Sequence, residues 1–482
     1  ALVSKLPENT IYGYIKEENK DNLDRVALRY YDRTFTYREL FQNIDDTAKA
    51  FLSYGVKQGD NVTIMMPTTP EAVYMIYALS KIGAVANMVD PRKSREQIEE
   101  YVKMTNSKLI VSIDVASDKL KNLKEHTNIQ NIVTVSPADS LPMGLKLGYQ
   151  AKEFVEEWKS KKKNYSKSGE CIKWNDFLNS GKNYKGIERY PKYAKNTPLV
   201  IVHTGGTTGE SKGVVLSNDN LNAAAFDCIQ AGFDFQSSHN WLNIMPTFIA
   251  YGVGNGLHLP LACGMEVILI PQFDPKDFAH YMVKYRPNHM TGVPSHYGFL
   301  IDHPKLEDTS LDLFLHKLGL KKHLNSDLSY IIAPTVGGDK MDENLERNTN
   351  RYLQKHGCPY LVAKGYGLTE VTGAVSACTS NEANAIGSVG IPFPHTTISI
   401  FDPKTGEELS YGERGEVCII SPNTMLSYYE NEEATKDMIR PHKDGRCWLH
   451  TGDMGYMNED GLLFIVDRMK RMIVRHDGFK VF

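Results

Sequence analysis

A glycine- and threonine-rich run near the middle of the chain carries the residue types that bind phosphate. It reads Thr204-Gly205-Gly206-Thr207-Thr208-Gly209-Glu210-Ser211-Lys212-Gly213 and follows an apolar stretch, residues 199–203, that predicts a buried strand. Glycines let the backbone approach a ligand closely, and successive backbone N–H groups in such a loop form an anion-binding concavity. The threonines add hydroxyl donors and Lys212 adds a positive charge. We therefore expect a polyphosphate ligand, the alternative being a mobile surface loop.

The run differs from two common nucleotide loops. A Walker loop needs Gly-Lys followed by Ser or Thr, whereas Lys212 is followed by Gly213, and the Rossmann Gly-x-Gly-x-x-Gly pattern is missing from the run. The run instead resembles the Thr-Ser-Gly-Thr-Thr-Gly-x-Pro-Lys-Gly signature of the acyl-adenylate-forming superfamily, which includes acyl-CoA synthetases, luciferases and nonribosomal-peptide adenylation domains. It departs from that signature at Gly205, usually Ser, and at Ser211, usually Pro, and it keeps the glycines and the lysine.

A second motif, Gly365-Tyr366-Gly367-Leu368-Thr369-Glu370, is similar to the family's aromatic-Gly-x-Thr-Glu motif. An aromatic ring offers a π face to a base, and a carboxylate is a hard ligand for Mg²⁺ beside phosphates. Taken alone, Tyr366 could be a core aromatic and Glu370 a helix N-terminal acid. The resemblance implies instead that Tyr366 packs on adenine, Thr369 contacts the α-phosphate, and Glu370 binds Mg²⁺ together with Thr204.

Three further motifs, one upstream and two downstream of the second, also fit the family's order. Val336-Gly337-Gly338-Asp339 resembles the glycine-rich turn that forms the other wall of the adenine site. Thr451-Gly452-Asp453 matches a Thr-Gly-Asp whose aspartate binds the ribose hydroxyls, since two carboxylate oxygens can accept from a vicinal diol. Asp467-Arg468-Met469-Lys470 resembles Gly-Arg-x-Lys/Asp, which implies that Arg468 reaches ribose or phosphate and that Lys470 is a hinge. Each motif alone reads as a turn with solvated charges, but their joint order favours the family.

The implied nucleotide site is large. The resemblance assigns ATP or AMP binding to Thr204, Gly205, Gly206, Thr207, Thr208, Gly209, Lys212, Gly337, Gly338, Asp339, Tyr366, Gly367, Thr369, Asp453 and Arg468.

The resemblance also implies a two-step reaction. The carboxylate of an acid attacks the α-phosphorus of ATP to give acyl-AMP and pyrophosphate, and a thiol, that of CoA, then displaces AMP. The protein positions the reactants and neutralises charge, so Lys212, Thr369 and Glu370 are the expected catalytic residues and ATP, Mg²⁺ and CoA the expected cofactors. Alternatives are an adenylation enzyme that loads a carrier protein, a nucleotide-binding module without catalysis, and a generic P-loop NTPase, which the missing Gly-Lys-Ser/Thr disfavours.

The acid itself is expected beside residues 246–255. Many acyl-CoA synthetases read Pro-Leu-Phe-His there, with histidine where this chain has Ile249, and many amino-acid-activating domains place an aspartate nearby. This stretch contains no acidic residue, so a substrate ammonium would be buried without a partner, which is costly. Phe248, Tyr251 and the small Gly252 predict an apolar acyl pocket, with core packing as the alternative. We therefore expect a fatty or aromatic acid.

The elements that must hold these residues follow from alternating patterns. Helix-like residues 38–52 and 71–82 alternate with strand-like residues 61–66 and 108–113, and the alternation resumes at Pro198. Such alternation predicts parallel sheets flanked by helices, and the short turn-bounded strands after residue 387 predict a β-rich unit. The expected fold class is α/β: two packed, mostly parallel sheets flanked by helices plus a small β-rich subdomain, the N-terminal core of an adenylate-forming enzyme.

Four segments are predicted along the chain. Residues 1–190 form an N-terminal α/β subdomain with a polar excursion at about 152–185, and residues 191–386 form a second α/β subdomain with the phosphate loop and the adenine site. Residues 387–470 form the β-rich subdomain, and residues 471–482 begin a C-terminal domain that the sequence lacks. Because the family carries a substrate-contacting lysine on that domain, we expect weak or no activity from the chain alone.

Composition excludes several functional classes. The 482 residues carry 55 Lys+Arg and 58 Asp+Glu, a net charge of −3, which gives no general reason to expect binding to nucleic acid or to an anionic membrane, although a local patch can still do either. No apolar run approaches the ~18 residues of a membrane span, so no integral membrane segment is expected. The seven cysteines include no CxxC pair, which favours a cytoplasmic protein without a disulfide framework.

Overall fold

The computed structural model describes residues 4–160, 164–204, 211–469, 473–474 and 480–481. Several of its helices start at side-chain caps. Thr36 and Glu39 form a capping box at the start of α2, and Ser217 accepts a hydrogen bond from the backbone N–H of Asn220 at the start of α8, as its sequence position predicts. The α-helices are α1 (Ile11–Glu18), α2 (Tyr37–Ser53), α3 (Pro70–Ile82), α4 (Arg95–Thr105), α5 (Leu123–His126), α6 (Met143–Ser160), α7 (Trp174–Lys182), α8 (Asn218–Gln230), α9 (Leu259–Ala262), α10 (Phe278–Tyr285), α11 (Pro294–Leu300), α12 (Ser310–Lys317), α13 (Glu343–Lys355) and α14 (Glu432–Met438).

The strands are short, and those in the middle of the sheets are nearly continuous in apolar side chains, as strands buried on both faces must be. They are β1 (Val26–Tyr30), β2 (Arg33–Thr36), β3 (Asn61–Met65), β4 (Val85–Met88), β5 (Leu109–Ile113), β6 (Asn131–Val135), β7 (Cys171–Lys173), β8 (Pro198–Thr204), β9 (Lys212–Ser217), β10 (Asn240–Asn243), β11 (Glu266–Leu269), β12 (His289–Met290), β13 (Thr335–Val336), β14 (Ala363–Leu368), β15 (Gly373–Ala377), β16 (Ile391–Pro392), β17 (Thr397–Phe401), β18 (Gly415–Ile420), β19 (Ser427–Tyr428), β20 (Ile439–Pro441), β21 (Cys447–Met457), β22 (Leu463–Arg468), β23 (Ile473–Val474) and β24 (Lys480–Val481).

The largest sheet has the strand order β19-β9-β8-β4-β3-β5-β6-β7. Its strands from β8 to β7 pair in parallel, whereas β9 runs antiparallel to β8 and β19 runs antiparallel to β9. All five residues of β5 are buried, because helices cover both faces of the sheet. The β8–β9 hairpin places the start and the end of the phosphate loop side by side, since Thr204 pairs with Lys212.

A second sheet has the order β12-β10-β11-β1-β2, parallel except for β2. Sheet membership crosses the boundary predicted near residue 190. Strand β1 comes from the first predicted subdomain and pairs with β11 of the second, while β8 and β9 join the sheet built from β3 to β7. The division into subdomains therefore stays a prediction, and the two sheets do not divide the chain at one point.

The C-terminal part is antiparallel. Strands β14, β15 and β16 form one ladder, and β17, β18, β21, β20 and β22 form another, with a core of its own that includes Val417 and Leu449. Together with the helix-flanked parallel sheets, this small β unit confirms the predicted fold class.

The polar excursion predicted at 152–185 needs correction in its second half. Strand β7 is an edge strand of the large sheet, and Trp174 and Phe177 of α7 are buried. The helix packs so closely on α2 that a Cβ on Gly181 would lie 2.5 Å from the backbone nitrogen of Ala50. The lysine-rich composition hid two aromatic residues at helical i, i+3 spacing, which are enough to bury one helix face.

Among the helices of the described part of the chain, none combines the length and the apolar character needed to cross a membrane.

Candidate active site

A cavity of about 750 Å³ lies at the carboxyl end of β8, bounded by the π-helix Tyr251–His258, the β13 turn and β14. This is where open parallel sheets usually bind their ligands. Ten residues predicted for the site line it: Thr204, Lys212, Tyr251, Gly337, Gly338, Tyr366, Gly367, Thr369, Glu370 and Arg468.

The phosphate end is built on the β8–β9 hairpin. The Thr204 hydroxyl donates to the Lys212 carbonyl at 3.3 Å, and the Ser211 hydroxyl donates to the Thr204 carbonyl at 2.9 Å. The Tyr101 hydroxyl in turn donates to Ser211 at 3.0 Å. These contacts fix the two ends of the loop, so Lys212 keeps its position at the cavity. Gly205, Gly206, Thr207, Thr208 and Gly209 lie outside the described residues.

Tyr428 links the two predicted catalytic charges, a role that the sequence did not reveal. Its hydroxyl donates to Glu370 Oε1 at 2.9 Å, and Lys212 Nζ lies 5.2 Å from the centre of its ring. Burial, followed by the neighbouring Glu370 carboxylate, raises the pKa of Tyr428 well above its usual range. The hydroxyl therefore stays protonated and remains a donor to Glu370.

The opposite end of the cavity joins three predicted residues. The Tyr366 hydroxyl donates to Asp453 Oδ2 at 2.5 Å, and Arg468 Nε lies 3.5 Å from Asp453 Oδ1. Burial, with the Asp453 charge second, raises the pKa of Tyr366 well above its usual range, so its hydroxyl is a donor. A half-buried aromatic ring beside a carboxylate and a largely exposed guanidinium forms a surface suited to a nucleoside.

The turn that carries Asp453 is held by hydrogen bonds to the neighbouring strand β18. The Thr451 hydroxyl donates to the Val417 carbonyl at 2.6 Å and accepts from the Asp453 backbone N–H at 3.0 Å. Glu416 Oε2 accepts from the Gly452 N–H at 3.1 Å, and its other oxygen bonds His450 Nδ1 at 2.7 Å. These bonds hold the backbone of the turn, so Asp453 is presented to Tyr366 in a fixed position.

Three glycine positions show how little room this part of the site leaves for side chains. A Cβ on Gly367 would lie 1.5 Å from the Gly373 carbonyl oxygen across the β14–β15 pair, so no side chain fits. Gly338 has φ +80°, in the left-handed region, and a Cβ on the adjacent Gly337 would touch the Tyr251 ring at 3.1 Å. The Tyr251 hydroxyl donates to the Gly292 carbonyl at 2.9 Å. Bare backbone and an aromatic ring thus form one flat wall of the cavity.

His203 is a second cavity residue that the sequence did not single out. It stacks on Tyr101 with ring centres 3.9 Å apart, and its Nε2 lies 2.6 Å from Asn87 Oδ1. Its Nδ1 is buried without a hydrogen-bond partner in the described residues. Burial lowers the pKa of His203 to about 4, so the imidazole is neutral at pH 7. His203 is the penultimate residue of β8 and follows four apolar residues, so its position in the sequence carried no distinguishing signal.

Aromatic side chains line a further part of the cavity. Phe233 and Phe235 stack with ring centres 5.1 Å apart, and Phe235 lies 5.9 Å from Trp241. Leu259 and Phe393, both buried, also line the cavity. Among the described lining residues Glu370 is the single carboxylate. This part of the cavity suits an apolar group.

Four described residues of the predicted site are not part of the cavity lining. One of them, Asp453, contacts the lining residues Tyr366 and Arg468, whereas the other three lie elsewhere. Asp339 is exposed and its Oδ1 accepts from the Lys340 backbone N–H at 2.8 Å, so it caps a turn and is not part of the cavity lining. Phe248 is also outside the lining, with the Arg92 guanidinium 6.0 Å from its ring centre. Gly252 allows close approach of its helix to Pro246, whose carbonyl oxygen would lie 1.9 Å from a Cβ. The predicted hinge residue, Lys470, is outside the described residues.

Comparison with known proteins adds an independent observation. A family model described as "AMP-binding enzyme" matches residues 15–429. The chain is 27% identical over 481 residues to a long-chain-fatty-acid–CoA ligase of Bacillus subtilis (strain 168), covering 99% of the chain and 80% of that protein. It is 28% identical over 486 residues to a probable 4-coumarate–CoA ligase of Dictyostelium discoideum, with coverage of 99% and 80%. A crystal structure of a long-chain-fatty-acid–CoA ligase from Archaeoglobus fulgidus superimposes with a TM-score of 0.79 over 97% of the chain and 85% of that chain. At 19% identity, that likeness concerns the fold.

Proposed function

The chain belongs to the AMP-binding enzyme family, and from that premise we propose that it activates a carboxylic acid with ATP and transfers the acyl group to CoA. In the first step a carboxylate oxygen of the acid attacks the α-phosphorus. The bond from that phosphorus to the bridging oxygen breaks, acyl-AMP forms, and pyrophosphate leaves with the electron pair. In the second step the CoA sulfur attacks the acyl carbon, loses its proton, and releases AMP.

One observation carries this proposal: charges of both signs and a nucleoside-sized surface meet in one cavity. Lys212 and Thr369 lie at its phosphate end, and Tyr366, whose hydroxyl donates to Asp453, lies at the other. In the proposed complex Lys212 neutralises phosphate charge, Thr369 donates to the α-phosphate, and Asp453 accepts from the ribose hydroxyls. The resemblance of the phosphate loop, residues 204–213, to the family signature supports the same assignment.

The donor set at the phosphate end fits a magnesium ion. Glu370 offers a carboxylate and Thr204 a hydroxyl oxygen, and both are the hard oxygen ligands that Mg²⁺ takes beside phosphates. When bound, the ion would offset the negative charge of the phosphates. Tyr428 orients the carboxylate, because it already holds one of its oxygens.

The apolar lining supports a proposal for the substrate class. A free amino acid would bring an ammonium next to Phe235 and Trp241, and Glu370 is the single carboxylate of the described lining. That carboxylate is held by Tyr428 at the phosphate end, so an ammonium beside the aromatic residues would have no counter-ion. We therefore propose a fatty or aromatic acid, with CoA as the thiol.

The test measures acid-dependent exchange of labelled pyrophosphate into ATP, which reports the first step without a thiol, over a panel of fatty, aromatic and amino acids. We expect exchange with an apolar acid and acceleration of AMP release by free CoA. Exchange with an acid but AMP release that is indifferent to CoA would indicate a carrier protein as acceptor. ATP binding without exchange for any acid would favour a binding module.

The matched variants are Lys212→Met and Lys404→Met. Lys212 lies at the cavity, and Lys404 is exposed in the segment between β17 and β18. Losing a charge that faces the transferring phosphates is expected to slow exchange on the order of 10²-fold, whereas Lys404→Met leaves it unchanged. Equal rates for both variants would contradict the proposed role of Lys212.

A further inference from the structure

Helix α12 carries an apolar surface that the rest of the molecule does not cover. Leu311 and Phe314 of α12 are 63% and 57% exposed, and Leu318 and Leu320, which follow its last residue, are 56% and 74% exposed. The first three stand at i, i+3 and i+7, so they share one face. We call these four residues the α12 stripe. No residue of α12 is buried. Contiguous exposed apolar side chains of this size usually mark an interaction site.

The helix is held in a fixed conformation although it has no buried face. Thr309 and Asp312 form a reciprocal capping box, with bonds of 3.1 Å and 2.8 Å between each side chain and the other's backbone N–H. Lys321 Nζ bonds Asp312 Oδ1 at 2.8 Å, and Asp308 accepts from the Asn325 N–H at 2.7 Å. These bonds hold the helix and the segment after it, so the side chains of the α12 stripe are exposed on an ordered part of the protein.

The same hydrogen bonds and ion pair engage the carboxylates near the α12 stripe and leave positive charges exposed beside it. The nearby carboxylates of Asp308 and Asp312 are engaged by backbone N–H groups and by Lys321. Lys317 and Lys322 are exposed and have no ion-pair partner among the residues that the structure describes. Two unpaired positive charges thus flank an apolar stripe, the arrangement of helices that lie on an anionic membrane.

The size of the surface argues against a second copy of the chain. An eight-residue helix is about 12 Å long, whereas a stable protein interface buries roughly 800 Å² on each partner. A lipid surface has no such requirement, because each apolar side chain inserts individually between headgroups while lysines stay at the level of the phosphates.

We propose that the α12 stripe, together with Lys317 and Lys322, docks the protein on an anionic lipid surface. Phe314, Leu311 and Leu318 would enter the headgroup region, and the two lysines would contact lipid phosphates. This docking is independent of the proposed acid activation, since no α12 residue lines the cavity.

The test is flotation of the full chain with vesicles of phosphatidylcholine alone and of phosphatidylcholine mixed with phosphatidylglycerol. We expect binding to the mixed vesicles that weakens with added salt. The double variant Phe314→Ser with Leu318→Ser should weaken binding to the mixed vesicles roughly ten-fold or more. The double variant Lys317→Gln with Lys322→Gln should weaken binding by about five-fold per lysine, and only for vesicles that contain the anionic lipid. The matched control, Ile187→Ser with Tyr411→Ser, removes residues that are 70% and 64% exposed elsewhere and should leave binding unchanged.

Two further measurements keep the proposal open to refutation. Phe314→Trp should shift its emission to shorter wavelength when mixed vesicles are added, and the melting temperature of every variant should match the parent because α12 buries no side chain. Absence of flotation at low salt would overturn the proposal. So would sedimentation showing that Phe314→Ser with Leu318→Ser disrupts a dimer in the absence of lipid, because the stripe would then be a protein interface.

Discussion

Substituting Tyr428 by phenylalanine tests whether the site works as the structure indicates. The change removes one oxygen, which donates to Glu370 at 2.9 Å, and keeps the ring that lies 5.2 Å from Lys212. Glu370 would still face the phosphate end, but its carboxylate would lose the bond that orients it. We therefore expect a defect in catalysis that depends on Mg²⁺, with the fold intact.

The magnitude follows from the kind of bond that is lost. A hydrogen bond to a charged group contributes about 1.5–3 kcal/mol, and each 1.4 kcal/mol is about a factor of ten in rate. Glu370 is half-buried, so water can partly replace the missing hydroxyl. The lower end of the range is then expected, a roughly ten- to thirty-fold loss of kcat/KM for pyrophosphate exchange. The Mg²⁺ concentration that gives half-maximal exchange should rise as well.

The chain supplies a matched control in the adjacent tyrosine. The Tyr429 hydroxyl accepts a bond from Asn61 at 3.1 Å, and Tyr429 is outside the cavity lining. Tyr429→Phe should therefore retain parental exchange and Mg²⁺ dependence. If Tyr428→Phe exchanged at the parental rate with an unchanged Mg²⁺ requirement, the bond to Glu370 would have no role in the reaction. If both variants were equally slow, the effect would be a general loss of packing.

Other residues yield outcomes of different kinds. Asp453→Asn should weaken ATP binding about ten-fold in calorimetry, whereas Asp339→Asn should leave it unchanged, and equal losses would contradict the assignment of Asp453 to the nucleoside end of the site. Phe235→Ala should shift kcat/KM toward longer or bulkier acids because it removes a ring from the lining; an unchanged ranking of the acids would place the acyl group elsewhere. Burial lowers the pKa of His258 to about 3, so the unfolded chain takes up its proton first as the pH falls below about 6.5. Stability from this residue is complete above that pH and is lost toward pH 3, and His258→Gln should flatten the melting-temperature profile in that window, with identical profiles refuting the assignment.

Local features of the fold were readable from the sequence because they depend on neighbours along the chain. The patterns over residues 38–52 and 71–82 correspond to α2 and α3, and those over residues 61–66 and 108–113 correspond to β3 and β5. Periodicity, caps and turn residues act over a few positions, so one sequence contains them in full. The contact that excludes a side chain at Gly367 comes from the paired strand β15 and is visible in the structure alone.

Pairing between distant segments was not readable. Strand β1 lies beside β11, and β19 adds an antiparallel edge to a sheet made mostly of residues near the start of the chain. Short strands of two to six residues carry little information about their partners, because side-chain alternation fixes a face and a register but not a neighbour. Phe248 illustrates the consequence: its apolar character suited a pocket, but the fold places it outside the cavity lining.

The position of Tyr428 in the site depends both on local structure and on pairing between distant segments. Tyr428 pairs with Val214 of β9, and the Met425 N–H bonds the Glu370 carbonyl at 2.8 Å. Its hydroxyl is therefore fixed by backbone pairing on one side and by the turn that carries Glu370 on the other. Lys212 begins the strand to which it pairs. Three segments that are far apart in sequence thus fix the distance between the Tyr428 hydroxyl and Glu370. A substitution that loosens the pairing of β19 should therefore impair the reaction even when every charged group of the site is retained.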